Sequence, residues 1–440
     1  MKVKVRISLC IICSLLCSAC TNPAAQAQKQ PPVAATQDTL EMVPDFSYAV
    51  TEQVPHILVD RIGYRTQDKK TAFFVGQNLD KKFFVRDLET DEVIFEGSLF
   101  AVKEMDEKEL YIGDFSAVTE EGKYYLYHTE TGDSHEFAVN DSIYGQEYLV
   151  LQKVAKEYTY TNVRDLAYCI SNMMFMKEMY DGIHVDYLFV EDSLRLLLNS
   201  QDVQSGAFIN EISEVPDAVG TASLTTTAQM AGVLAQYSYL YKNDNPEFSM
   251  ECLKAGQNAY KYMENYRKNT DTDAWYFAAV QLYRATGQYK YRNAIREYDT
   301  METKAKSSTG RDYTMLADFT YLSTAYGTDY ARCETLLDGY MDKAEAISLS
   351  SVKENLYVSE DIEAMGDSEI LDNIIILGLV NHVLSGQEYA GVQKNYLHYF
   401  SGVNLEAKNY LLDEMTAFVS VDGPDITKIA KLMVIFGNMN

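Results

Sequence analysis

The sequence predicts an all-β domain followed by an all-α domain built of helical hairpins. Three observations carry that expectation. Between Val54 and Val139 the chain runs through short segments rich in Val, Ile, Phe and Tyr, broken by turn residues. From Tyr144 onward it changes to about twelve longer stretches with helical periodicity and short connections. Within that half, one punctuation repeats. An apolar helix stops at Gly or Asn, and an aromatic opens the next helix a few residues later, as at Phe248, Tyr289, Tyr330 and Tyr389. The first three of these aromatics lie about 40 residues apart, a period that suits stacked hairpins and exceeds a tetratricopeptide unit. Composition leaves an open solenoid and a closed ring equally open.

The 440 residues carry Lys+Arg 38 against Asp+Glu 64, a formal charge of -26. No basic patch offsets that excess, so nucleic acid and anionic lipid are poor partners, while a neutral or cationic polymer is tolerated. Residues 1–20 read as an export signal: Lys2, Lys4 and Arg6 precede the apolar run from Ile7 to Leu16. Ser18 and Ala19 then lead into Cys20, the small-residue pattern of a bacterial lipoprotein cleavage site. Cys20 is therefore expected to be the lipidated first residue of the mature chain. That anchors the protein to the bacterial membrane, facing the extracellular or periplasmic side. Residues 21–53, rich in Ala, Gln, Pro and Thr, form a tether. Past the signal only Cys169, Cys252 and Cys333 remain, each in an apolar helical context and read as small hydrophobes. No CxxC or HxxxH pair marks zinc, and no Asp/Asn-rich loop has calcium spacing, so neither metal nor cofactor is expected. No later apolar run approaches the ~18 residues that span a bilayer.

The β half (54–142) comprises HILV, TAFFV, KKFFVRD, EVIFEG, ELYIGDF, GKYYLYH and HEFAV. Seven or so strands with frequent turns predict an antiparallel sandwich of immunoglobulin type, without the Cys-Trp-Cys signature of antibody domains. The helical half (143–440) centres on DTDAWYFAAVQLYRATG, residues 271–287, which holds the single tryptophan. Ala274, Trp275, Phe277, Val280, Leu282 and Tyr283 make it apolar almost all round, so it is an inner helix covered on more than one side. Asp271, Thr272 and Asp273 supply cap oxygens and Gly287 a stop.

HILVDRIGYRTQDKKTAFFV, VRDLETDEVIFEG, GDFSAVTEEGKYYLY and EFAVNDSIYGQEYL resemble the N-terminal immunoglobulin-like domain of glycoside hydrolase family 9. WYFAAVQLYRATGQYKY is similar to that family's inner-to-outer helix turn. MGDSEILDNIIILGLVNHVLSGQEYAGVQKNYLHYFSGVNLEAKNYL is similar to the segment ending in its glycine-asparagine turn, with Asn404 at the asparagine. The resemblance implies a shortened six-hairpin (α/α) toroid behind the sandwich. It also implies an inverting cellulase-type chemistry, in which an aspartate pair holds the attacking water and a glutamate protonates the leaving oxygen. Such chemistry needs two carboxyls ~6.5–9.5 Å apart, one ionised and one with a raised pKa.

This chain departs from the family pattern at both ends of that machinery. The nearest match to the aspartate turn is Tyr180-Asp181-Gly182-Ile183-His184-Val185-Asp186-Tyr187. Asp181 stands at the first aspartate, His184 at the second position and Asp186 two residues late. The bland alternative is that Asp181-Gly182 ends one helix and Asp186 begins the next. The C-terminal histidine-arginine and asparagine-glutamate motifs are missing. Asp425, in DGPD, precedes the last helix near the acid's expected place, and a plain N-cap is its bland reading. Asp413 and Glu414 are outside candidates, and Asp361 and Glu363 read as the acidic start of a helix. The catalytic candidates are thus Asp181, Asp186 and Asp425, and the substrate-binding candidates are His184, Tyr187 and Tyr276. Tyr144, Tyr148, Tyr158, Tyr160 and Tyr313, at other helix ends, could also line a rim.

Three functions follow. In the first, a surface lipoprotein binds β-1,4-glucan-type polysaccharide, with hydrolysis lost or weak. In the second, it is a divergent inverting endo-β-1,4-glucanase with shifted carboxylates. In the third, it is a scaffold for cell-surface protein partners.

Overall fold

The structure, a computed structural model, describes residues 56–439 apart from 106–107, 181, 217–219, 267–270, 302–310, 352–355, 360 and 412–424. Cys20, Asp181, Asp413 and Glu414 therefore lie outside the described residues.

Nine strands form the β domain: β1 (Ile57–Leu58), β2 (Gly63–Tyr64), β3 (Thr71–Gly76), β4 (Lys82–Asp87), β5 (Val93–Met105), β6 (Lys108–Asp114), β7 (Gly122–His128), β8 (Gly132–Asp133) and β9 (Phe137–Val139). Their order is β1-β3-β6-β5-β4-β7-β9-β2, with β8 on β7. The two halves of this sandwich-like domain share β5, whose first part pairs with β4 and whose second pairs with β6. Gly97 sits where β5 passes from one partner to the other. A Cβ there would lie 2.3 Å from the Phe83 ring. Phe74, Phe83, Phe115, Leu126 and Phe137 fill the space between, each essentially buried. Alternation of apolar and polar residues explains this, since successive strand residues point to opposite faces.

Among the described residues twelve α-helices follow: α1 (Ile143–Glu157), α2 (Val163–Met179), α3 (Tyr187–Leu198), α4 (Leu224–Leu240), α5 (Pro246–Glu264), α6 (Thr272–Thr286), α7 (Tyr289–Asp299), α8 (Tyr313–Ser323), α9 (Tyr330–Ser351), α10 (Asp367–Val383), α11 (Ala390–Phe400) and α12 (Ile426–Met439). The even-numbered helices are buried on nearly every face and form the inner set. In that set α2 packs on α4, α4 on α6, and α6 on α8. The other arm runs from α2 through α12 to α10, and α9 touches both α8 and α10. The last helix thus returns to the first, α12 packing on α1 as well as α2. This is the toroid, its sixth hairpin made by the two ends of the helical half.

The sequence signals act locally as expected. Gly287 ends α6 at φ 66°. Asn245 caps α5, with Pro246 in its first turn. Asp271 differs. It precedes α6, but its carboxylate takes the Thr225 hydroxyl at 2.8 Å and makes no cap bond.

A polar seam joins the two domains. Asp60 pairs with His398, and Lys394 with Asp68. The Arg61 amide donates to the Ser401 carbonyl at 3.0 Å, and Leu58, Phe73 and Leu110 pack on Val403 and Ala407. Asn404 braces the turn that presents these residues. Its amide donates to the carbonyls of Tyr399 (2.8 Å) and Lys408 (2.7 Å) and its oxygen accepts from the Lys408 amide (3.0 Å), while the residue is buried. Asn404→Ala is expected to cost about 2–3 kcal/mol, because it removes three bonds and strands two carbonyls. Urea unfolding of the two proteins measures it.

Candidate functional site

Each inner helix from α2 to α10 is followed by an outer one running back, and α12 pairs with α1, so the N-termini of the inner helices meet on one rim. Contacts between those N-termini define it. At the start of α2, Asn162 caps the helix by accepting from the Asp165 amide at 2.9 Å. The 158–162 connection is held by residues 210–212. The Val163 amide donates to the Asn210 carbonyl (2.7 Å), and Asn162 bridges to Glu211. The Asn210 side chain accepts from Arg164 (2.9 Å) on α2 and from Thr226 (3.1 Å) on α4. Thr225 reaches Asp271 ahead of α6. Arg311, ahead of α8, crosses to Asp165 on α2. On the far side Lys428 of α12 pairs with Asp367 of α10 at 2.8 Å. Lys431, buried, pairs with Asp372 at 2.6 Å and donates to the Ser368 hydroxyl at 2.7 Å.

Beneath these ion pairs the floor is aromatic. Tyr168 and Tyr313 meet edge to face at 5.3 Å, and Phe277 lies 4.8 Å from Tyr313. Tyr313 is pushed up by burial, with the Asp273 and Asp165 carboxylates adding to it and Arg311 opposing. Those groups therefore surround one ring. Tyr158, at the end of α1, belongs to the same rim. Burial, then Asp165, then Asp425 push its hydroxyl up.

Five carboxylates of the rim, and Asp425 beside them, are engaged. Asp165 is held by Arg311, Asp367 by Lys428, Asp372 by Lys431 and Asp271 by Thr225. Asp312 accepts from the Met315 amide at 3.0 Å. Asp425 accepts from the amides of Thr427 (2.9 Å) and Lys428 (3.4 Å), the N-cap pattern.

Asp318 and Glu147 are pushed upward, and neither belongs to this rim. Asp318 is raised by burial against hydrogen bonds from Tyr276 (2.7 Å) and Tyr340 (3.0 Å). Glu147, on α1 beside the domain seam, is pushed up to about 8 by burial and then by Asp60.

The sequence-predicted residues do not assemble into one site. Asp186 caps α3 through the Phe189 amide (3.0 Å) and pairs with Lys156 (2.8 Å). Burial raises its carboxyl, and Lys156 and the Phe189 amide bring it below the usual range. His184 is exposed, and its carbonyl accepts from Gln152. Both follow the C-terminal end of α2, whereas Asp425 precedes the N-terminal end of α12. Tyr187 is half-buried against Tyr241 and donates to Glu191. Burial raises that carboxyl, but hydrogen bonds from Tyr187, Arg195, Asn245 and Tyr237 bring it down to about 2.

Tyr276 requires a correction. It is fully buried, stacked on Tyr298 at 4.0 Å, with its hydroxyl donating to Asp318 and accepting from Arg332. No sugar can reach it. Tyr144, Tyr148 and Tyr313 are buried in the same way, and of the rim candidates Tyr158, Tyr160 and Tyr187 keep part of their surface in solvent. Asp361 and Glu363 are exposed around a short 3-10 turn just ahead of α10.

Comparison with known proteins now has a geometry to meet. Residues 52–133 match the cellulase N-terminal ig-like domain, and residues 214–420 match glycosyl hydrolase family 9. The chain belongs to glycoside hydrolase family 9. Solved structures agree on the fold. A metagenome-derived family 9 endoglucanase is 16% identical with TM-score 0.69, covering 87% of this chain and 98% of its own. A Bacteroides ovatus family 9 protein is 16% identical with TM-score 0.67 and the same coverage. A thermostable endoglucanase from Alicyclobacillus acidocaldarius is 14% identical with TM-score 0.64, covering 81% and 84%. No match is found among curated proteins. The family 9 match begins at residue 214 and ends at 420, so it takes in neither the 180–187 turn, nor Asp165, nor Asp425.

Sequence reasoning missed the rim at Asp165 and Arg311. The local signal was present: Asn162-Val163-Arg164-Asp165 is a cap sequence opening an apolar helix. The pairing of Asp165 with a residue 146 positions away left no such trace.

Proposed function

We propose that this family 9 protein binds β-1,4-glucan-type polysaccharide at the rim formed by the inner-helix N-termini, with hydrolysis lost or weak. The observation that supports this reading is the engagement of Asp165, Asp312, Asp367, Asp372 and Asp425 among the described residues. An inverting glycosidase needs one carboxyl kept protonated near the working pH and another free to take a proton from water. Here Asp165, Asp367 and Asp372 each face a cation, and Asp312 and Asp425 are spent on capping amides. A glycan still finds hydrogen-bonding groups and aromatic edges along the same rim. The endoglucanase names of the structural neighbours support the substrate class. Lipidation of Cys20, the export signal and the tether would hold the rim at the cell surface, where polymer is encountered.

Family membership favours one second reading, a divergent hydrolase. In that case Asp165, paired as it is, remains able to orient a water, and rim substitutions abolish turnover.

The deciding experiment measures reducing-end release and binding side by side, for residues 21–440 with soluble β-1,4- and mixed-linkage glucans. Binding without release is the expected result. Release that disappears in Asp165→Asn establishes the hydrolase, and Asp186→Asn, whose carboxylate caps α3, should leave release unchanged in that case. Neither binding nor release by the folded protein would turn attention to protein partners.

A further inference from the structure

The α1–α2 connection, Tyr158-Thr159-Tyr160-Thr161-Asn162, carries two aromatic rings onto the rim just ahead of the α2 N-terminus. Tyr158 is half-buried and Thr159 beside it is exposed. Tyr160 meets the Tyr158 ring edge to face at 4.8 Å, and the Tyr160 hydroxyl is anchored on the Ala155 carbonyl at 2.8 Å. The segment is tied down at its far end by the Asn162–Glu211 bridge, and the Ile212 amide donates to the Thr161 carbonyl. Its near end is set by the Tyr158 amide on the Val154 carbonyl at 3.0 Å. A ring packed on a neighbour, in a segment tied down at both ends, gives up less rotamer entropy on binding than an aromatic on a loose loop. The hydroxyl of this ring lies within electrostatic reach of Asp165 on α2 and Asp425 before α12.

Building on the polysaccharide reading above, we infer that Tyr158 is the stacking platform of the rim and that it selects neutral pyranose units with equatorial hydroxyls. A β-1,4-linked glucose unit has its ring hydroxyls equatorial and presents C–H bonds on both faces. An aromatic face contacts such a surface well. The axial C4 oxygen of a galactose unit interrupts one of those faces. A uronate would add a carboxylate to a rim that already carries Asp165 and Asp425, and like charge opposes binding.

Three points distinguish Tyr158 from the other rim aromatics. Tyr168 and Tyr313 are buried under the ion pairs, so they shape the floor without touching ligand. Tyr160 spends its hydroxyl on the backbone and its ring on Tyr158, and acts as the support. Tyr187 is tied to Glu191 beside Tyr241 and the far end of α4.

The test titrates residues 21–440 and the variants Tyr158→Phe, Tyr158→Leu and Tyr158→Ala with cellohexaose, β-1,4-galactohexaose and hexagalacturonate by calorimetry, with each variant's melting temperature recorded. The wild type is expected to bind cellohexaose more tightly than the galactose oligomer and to bind the uronate least. Tyr158→Phe should stay within about threefold, since it keeps the ring face, and Tyr158→Leu and Tyr158→Ala should lose at least tenfold, in line with loss of one stacked ring. The phenylalanine variant separates stacking from a structural role, because a support residue would tolerate leucine as well as phenylalanine. Wild-type affinity in both Tyr158→Leu and Tyr158→Ala would overturn the assignment while leaving polysaccharide binding intact. So would an equal loss in Tyr158→Phe, which would make the hydroxyl the contact. A wild-type chain that binds none of the three sugars would overturn the polysaccharide reading and this inference with it.

Discussion

Arg284→Met should lower the unfolding free energy by about 3–5 kcal/mol, the largest single-site loss expected outside the apolar core. Arg284 sits near the C-terminal end of α6, buried, and forms an ion pair with Glu178 of α2. Ser323 of α8 donates to the same carboxylate at 2.7 Å. Three inner helices thus meet on one buried carboxylate. The guanidinium also lies 4.0 Å over the Tyr239 ring of α4, so all four of these helices share the contact. Methionine fills much of the apolar volume but leaves Glu178 enclosed without its cation, and an unpaired buried charge is what costs most. Glu178→Gln/Arg284→Met removes the stranded charge and should recover a large part of the loss. Chemical denaturation of the two variants gives the comparison. A single variant as stable as the wild type would mean that Glu178 is solvated and that the far end of the ring is open to water.

Features that depend on neighbours in sequence were legible in advance. Periodicity and turn residues gave the strands and helices, because alternation and the helical repeat are set locally. The apolar perimeter of α6 placed Trp275 in the interior, and that tryptophan is 2% exposed. Asn404 was singled out as a turn residue, and it braces its turn with three hydrogen bonds. The site was less legible for a physical reason. Its groups come from helix N-termini far apart in the chain, and what defines them is pairing: Arg311 with Asp165, Lys431 with Asp372. Such pairs have no spacing rule. A search for a compact carboxylate turn instead found 180–187, where Asp186 is a helix cap and Gly182, at φ 84°, relieves the turn. Tyrosines posed the complementary problem. Tyr276 and Tyr158 look alike at helix ends, yet one is enclosed by Tyr298, Asp318 and Arg332 and the other reaches solvent.

Glu147→Gln should make the protein more stable above about pH 8 and leave it nearly unchanged near pH 5. Glu147 is on α1, where that helix passes under the domain seam, and it is buried with Oε2 unpartnered. Burial, then the nearby Asp60 carboxylate, push its carboxyl up to about 8. Asp60 cannot yield to relieve the conflict. It is committed to His398 and to the amides of Ile62 (2.7 Å) and Gly63 (3.2 Å). The sign follows from linkage. The folded state binds the Glu147 proton more tightly than the unfolded chain, whose glutamate titrates near its ordinary value. The stability contributed by the protonated form is complete below the ordinary glutamate range and is lost as pH rises through the folded value, at up to ~1.4 kcal/mol per pH unit. Above about pH 8 the loss is complete and the curve flattens. Glutamine keeps the shape and the neutral charge of the protonated side chain at every pH, so this component of the slope vanishes in the variant. The two unfolding curves should coincide in acid and separate progressively from about pH 5 to pH 8, with the glutamine protein the more stable by a few kcal/mol at the end. The separation tests the seam itself. Parallel curves would mean that water reaches Glu147 between α1 and the β domain, and that the two domains are less tightly joined there than the contacts of Asp60 and Asp68 imply.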